Sequence, residues 1–309
     1  MPRKKTIGFN FFKPVIETHN GDTITFDLSD IFENIRNEYF DAKRRIDAGL
    51  GPIEYKINYS YNNEPARLSS VQVDVERQYY HLVFDKLDYQ VPSRTTLHGE
   101  STALELADNE YIGIDVNILY DAEHHILMIQ RNRNSLGPSG IETFLSTIID
   151  SYTENINGTF HLAMVSDNTA RTRALNQSAY RKIHMKVTGQ RVTGLMERLG
   201  INNNRDVETI EISFNSRTTR DGKIDDDFAR QILREYIEDV GNDVQKLQIR
   251  AREDEEGVVE PIDLVDHKLQ AFTDFEFIED RYINPESVFV RMIEIFDDGG
   301  YKLQVLRMR

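Results

Sequence analysis

No cysteine occurs in the 309 residues. That absence removes disulfides, thiolate-bound metals, iron–sulfur clusters and cysteine nucleophiles together. No apolar run reaches the roughly 18 residues that a bilayer-crossing helix needs, so membrane insertion is not expected. The opening MPRKKTIGFNFF is basic but lacks the long apolar stretch of a secretory signal. With no cysteine, this gives the expectation of a bacterial-type cytoplasmic protein. Also missing are H-E-x-x-H, G-x-S-x-G, a Walker lysine loop and a G-x-G-x-x-G after a strand. No cofactor is expected, and the question of catalysis is left open, leaning against it.

What is present is globular: 39% hydrophobic, 29% charged and 10% aromatic residues in 35.9 kDa. A chain of this size buries roughly three quarters of its unfolded surface. Thirty-seven Lys and Arg face 52 Asp and Glu, a net charge of −15. Such acidity favours solubility and disfavours uniform coating by nucleic acid, while local basic patches stay open to it.

Apolar spacing predicts four helices. Ile31, Ile35, Tyr39, Ala42 and Ile46 recur at helical spacing before Gly49 and Pro52. Ser139-Gly140-Ile141-Glu142 has the form of a capping box, followed by Phe144, Leu145, Ile148 and Ile149 as a buried stripe. Asp225 to Asp227 place negative charge at the start of a third helix, and Asn284-Pro285-Glu286 opens the fourth. Strands are expected at 53–61, 79–87, 111–119, 126–131, 160–165, 209–214 and 271–278 from alternation or short apolar runs. The fold class expected is α+β: a mixed, mostly antiparallel sheet in the N-terminal half and helix–strand units in the C-terminal half. A polar, Asn-rich stretch at 152–158 divides the chain into 1–155 and 156–309, a single continuous domain being the alternative. Ile237-Glu238 with Lys246-Leu247-Gln248-Ile249, and Ile293-Glu294 with Lys302-Leu303-Gln304-Val305, recur at a common offset. Each reads as a helix end, a turn and a strand that begins KLQ.

Charge is unevenly spread. Between 171 and 191 stand Arg171, Arg173, Arg181, Lys182, Lys186 and Arg191, with no Asp or Glu. Tyr180 and several amide and hydroxyl side chains are interleaved, which suits a phosphate-tracking surface with an aromatic face for stacking. The plainer alternative is a basic segment that pairs with the protein's own acidic surface. Arg131 and Arg133, delivered beside a helix start, are secondary phosphate contacts. The opposite pole, Glu253-Asp254-Glu255-Glu256 continuing to Glu260, Asp263 and Asp266, is a solvated acidic loop or a surface for a protein partner.

Three catalytic or metal constellations are weaker. His124-His125 after Asp121 and Glu123 suggests metal, but adjacent histidines on a strand point to opposite faces, and a turn accounts for the group equally well. Glu54-Tyr55-Lys56 has the form of a metal-dependent nuclease triplet, one that arises cheaply in so charged a chain. His184-Met185-Lys186 begins a phospholipase-D-like motif that fails at Arg191, where that motif wants Asp.

Leu104-Glu105-Leu106, Glu110, Ile114, Leu119-Tyr120-Asp121 and then ILMIQRNRNSLGPSGIETFL resemble bacterial proteins of roughly 300 residues from mobile elements and phage-defence clusters. The KwaB-like proteins of the Kiwa defence system are one such group that the chain resembles. The resemblance covers about residues 100–150 and contains no diagnostic motif. It implies a cytoplasmic, oligomer-prone, non-catalytic protein that binds nucleic acid or a protein partner. The partners expected are therefore DNA or RNA, a protein of a defence system, and further copies of the chain. Reversal of Arg181 and Lys182 to Glu is expected to abolish nucleic-acid binding.

Overall fold

A computed structural model describes residues 3–306 apart from 51–57, 62–63, 109, 154–155, 168, 199, 201–206, 218, 220–221, 238–239, 241–242, 253–258, 266–267 and 278–282. The chain forms two compact units, the first from residues 1–165 with 275–306, the second from 166–274. The sequence-based division at 155/156 lies ten residues before the observed one and leaves residues 275–306 with the second half. These residues return because their apolar side chains cover one face of the first unit's sheet.

The first unit contains β1 (Arg3–Glu17), β2 (Thr23–Thr25), α1 (Ser29–Asp47), β3 (Asn58–Tyr61), β4 (Glu64–Asp74), β5 (Tyr79–Asp88), β6 (Ser93–Arg94), β7 (Thr102–Ala103), β8 (Ile112–Asp121), β9 (Ile126–Gln130), α2 (Pro138–Tyr152) and β10 (Thr159–Met164). The second contains α3 (Ala170–Leu175), β11 (Ala179–Thr188), α4 (Gly189–Arg198), β12 (Thr209–Asn215), α5 (Asp226–Ile237), β13 (Val244–Arg252) and β14 (Glu260–Asp263). β15 (Gln270–Phe277) leads back to α6 (Pro285–Asp297) and α7 (Tyr301–Leu306). The fold is α+β.

The large sheet runs β10-β1-β9-β8-β5-β4-β3, with β2 and β15 also paired to β1. Its successive ladders are antiparallel, with Tyr80 opposite Tyr120 and Leu119 opposite Met128. One face is packed by α1 and α2, whose Phe32, Ile35, Phe144, Leu145 and Ile148 join Leu82, Phe84, Val116, Ile118 and Leu127 in one core. On the other face α6 and α7 set Phe296 and Tyr301 against Phe11, and Phe289 against His81. A strand covered on both faces reads as an unbroken apolar run. That is why Ile126-Leu127-Met128-Ile129 does not alternate, all four residues being buried.

Several expectations are corrected. Ser139 does not cap α2: the N-cap is Gly137 with Pro138 next, and no side chain caps the helix. Glu142 instead accepts a hydrogen bond from the Leu162 amide at 2.6 Å, because Pro138, lacking an N–H, starts the helix two residues early. The second KLQ segment, 302–305, is helical in α7, whereas the first is strand in β13. In β13 the tripeptide's own Leu247 is buried, whereas in α7 its Leu303 is exposed and Val305, outside the tripeptide, is the buried residue. The long β1 and β4 were not anticipated, since both carry mixed patterns without strict alternation. Of the expected strand at 53–61, β3 accounts for 58–61, and Ile53, Tyr55 and Ile57 lie outside the described residues. So do Glu54, Lys56 and the acidic run 253–256.

Candidate nucleic-acid interface

The second unit is built on a four-stranded antiparallel sheet in the order β12-β11-β13-β14. Alternation assigns its two faces. Ile183, Met185, Val187, Leu247, Ile249 and Ala251 point inward and join Ala174, Ala229, Leu233 and Tyr236 from α3 and α5 in a second core. The intervening residues Lys182, His184, Lys186, Lys246, Gln248 and Arg250 therefore share the outer face. An antiparallel sheet with helices on one side only normally leaves its other face to water.

Register brings the cations together. Lys182 lies directly opposite Arg250, and Lys186 directly opposite Lys246. Like charges facing each other across a ladder destabilise the pair. Among the described residues, none of these four side chains is within ion-pair distance of a carboxylate. The face also holds two acids: Glu211, directly opposite Lys186 and 3.5 Å from His184 Nε2, and Asp263, opposite Gln248 and accepting from its amide. The face thus concentrates four cations, offset in part by Glu211, and an anionic ligand would neutralise the remainder.

The other residues expected at the interface are dispersed. Tyr180 is fully buried and its hydroxyl donates to the Ala174 carbonyl at 2.7 Å. It belongs to the core and presents no ring to a base, which corrects its assignment as a stacking residue. Arg173 is committed to Asp167 at 2.6 Å and Glu260 at 3.5 Å. Arg181 donates to the Thr219 carbonyl, and Arg191 lies over Tyr236 while donating to the Glu235 carbonyl. Beside Arg191 a cleft of about 340 Å³ opens between α4 and α5, with Glu235 also holding Arg198 at 2.9 Å. Arg171 is exposed on α3. Arg131 and Arg133 belong to the first unit, where burial, and then the charge of Arg133, holds the Arg131 guanidinium below its ordinary pKa.

Of the basic run, then, Lys182 and Lys186 reach the outer face, and β13 supplies Lys246 and Arg250, which lie outside that run. Their signal in the sequence is the period-two pattern of 244–252, VQKLQIRAR.

Among the described residues, the first unit holds one trio of metal-ligand type: the ligand atoms of Asp121, Glu123 and His124 lie within 4.8 Å of one another. Asp121 is fully buried and already accepts from the Glu123 and His124 amides and from His124 Nδ1 at 2.9 Å. The Lys302 ammonium stands 3.5 Å from the same carboxylate and 3.0 Å from the Tyr79 hydroxyl, which donates to Asp297 at 2.6 Å. Burial first, then Asp297, pushes the Tyr79 phenol well above its ordinary pKa. This network fastens the β8–β9 turn to α6 and α7. The two histidines diverge, as a turn requires: His125 has a positive φ of 55° and its Nδ1 lies 3.0 Å from the Tyr120 hydroxyl. No helix among the described residues is long and apolar enough to cross a membrane.

No curated protein matches the sequence. A family model described as a family of unknown function, DUF6731, matches residues 2–305, so nearly the whole chain, both sheets included, belongs to the DUF6731 family.

Proposed function

We propose that this protein binds nucleic acid through the outer face of the β12-β11-β13-β14 sheet, as a non-enzymatic component of a bacterial or phage conflict system. One observation carries the reading: Lys182 opposite Arg250 and Lys186 opposite Lys246, four cations clustered on one face and, among the described residues, beyond ion-pair distance of any carboxylate. Phosphate oxygens are the ligands that such a grid suits, since they offer charge at regular spacing and demand no directional pocket. The defence setting rests on the resemblance of residues 100–150 alone.

The test is fluorescence anisotropy of the full chain with labelled nucleic acid over a salt series, beside Lys186→Glu/Lys246→Glu. Micromolar or tighter binding that weakens with salt and is lost in the double variant is expected. Absence of binding at low salt, or an unaffected variant, would overturn the assignment. Arg181 is a poor choice for charge reversal, because its guanidinium supports the Thr219 loop.

A further inference from the structure

We infer that the occupant of this face is B-form duplex DNA, held by its two phosphate ridges across the major groove. The inference rests on the nucleic-acid reading above and adds the form of the ligand. Lys182 and Lys186 are four residues apart on β11, and Arg250 and Lys246 are four apart on β13. At the ordinary rise of an antiparallel strand the two cation pairs stand about 14 Å apart. The B-form major groove is about 12 Å wide and the minor groove about 6 Å. One pair meets each lip of the major groove, and the flexible lysine stems take up the difference. The minor groove is too narrow for both pairs to engage. In A-form RNA the deep, narrow major groove does not match the spacing; the wide, shallow minor groove is the remaining competitor, which titration with an RNA duplex tests.

The chemistry of the face points the same way. Single-stranded nucleic acid is held largely by bases stacked on aromatic side chains. The outer positions of β11, β12 and β13 are Lys, His, Thr, Glu, Ser, Asn, Gln and Arg, and the rings of Tyr180 and Phe214 lie on the opposite side. His184 is the one ring on these outer positions, and it leans toward Glu211. Between the two cation pairs lie Ser213, His184, Gln248 and Asp263, the last tied to the Gln248 amide. A sheet resting on both ridges keeps these short side chains above a groove about 8.5 Å deep. The duplex is therefore held by charge and groove width, without a base-sequence preference.

The experiment compares a DNA duplex, one of its strands alone, and an RNA duplex of the same sequence in anisotropy titrations with the full chain. DNA duplex is expected to bind at least about tenfold tighter than either alternative, with a logarithmic salt slope of about −3.6, each phosphate contact contributing roughly −0.9. Lys182→Gln/Arg250→Gln and Lys186→Gln/Lys246→Gln each remove one lip. Each is expected to lower the slope by about 1.8 with thermal unfolding unchanged or raised, since a like-charge pair is removed, so that lost binding is not lost folding. Methyl green, which occupies the major groove, competes, and netropsin in the minor groove does not. Tighter binding to the single strand or to RNA duplex, or competition by netropsin alone, overturns the duplex assignment and leaves nucleic-acid binding standing. Failure to bind all three overturns both.

Discussion

At the scale of single residues, His81 is the side chain most exposed to a change of pH. It is buried on β5, stacked on Phe289 with ring centroids 4.4 Å apart, and Nε2 lies 2.9 Å from Asn117 Oδ1. Nδ1 has no partner. Burial drives its pKa down to about 4, against weaker opposing effects of Asn117 and Glu286. A depressed pKa means that the unfolded chain takes up the proton first. The stability is present in full above about pH 6.5 and is lost as pH falls through 4, roughly 3 kcal/mol in all. His81→Gln keeps a donor toward Asn117 and removes the titration. Its denaturation midpoint is expected to depend less on pH between 6.5 and 4, and equal dependence in both proteins would refute the account. Asp121 matters at this scale as the hub of a buried hydrogen-bond network. Asp121→Ala strands the Glu123 and His124 amides and leaves the half-buried Lys302 ammonium only the exposed Glu123 carboxylate, 3.9 Å away, at a cost of about 3 kcal/mol in chemical denaturation. A change below about 0.5 kcal/mol, the range of ordinary surface substitutions, would show that the network is decorative.

At the scale of elements, α2 separates two accounts of one helix start. A capping box makes Ser139 the important residue, whereas the observed geometry gives that place to Glu142, which holds the Leu162 amide of β10. Ser139→Ala is therefore expected to change stability by less than about 0.5 kcal/mol. Glu142→Ala should cost about 1–2 kcal/mol, the penalty for an unsatisfied, largely buried amide. The reverse ranking in a thermal or urea series would restore the capping box. Elements with strong local signals were legible: Asn284 does cap α6, accepting from the Glu286 amide, and Asp225 accepts from the Phe228 amide at the start of α5. Strands β5, β8, β9, β10 and β12 fall within a residue or two of their expected positions. The KLQ segments were not separable, because their difference lies in what each packs against. Tyr180 was misjudged for a related reason: a tyrosine among arginines reads as surface until the inward parity of β11 is known.

At the scale of the whole molecule, the first unit is closed by residues far away in sequence. α6 and α7 cover a face that includes Phe11, Tyr79 and His81. Truncation after residue 282 is expected to expose that face, with increased binding of a hydrophobic dye and loss of cooperative unfolding. An unchanged unfolding profile would mean that the helices are accessory. Composition, charge, the absence of cysteine, the fold class and most helix positions followed from the sequence by itself, because propensity, capping and periodicity act over a few neighbouring residues. Half of the proposed interface was also visible there, as Lys182 and Lys186. The other half, Lys246 and Arg250, joined it only through the β11–β13 ladder, and the removal of Tyr180 from the surface likewise awaited the choice of faces. Strand pairing and sheet-face assignment are decided by burial between segments tens of residues apart, and that is the part which only the tertiary structure could decide.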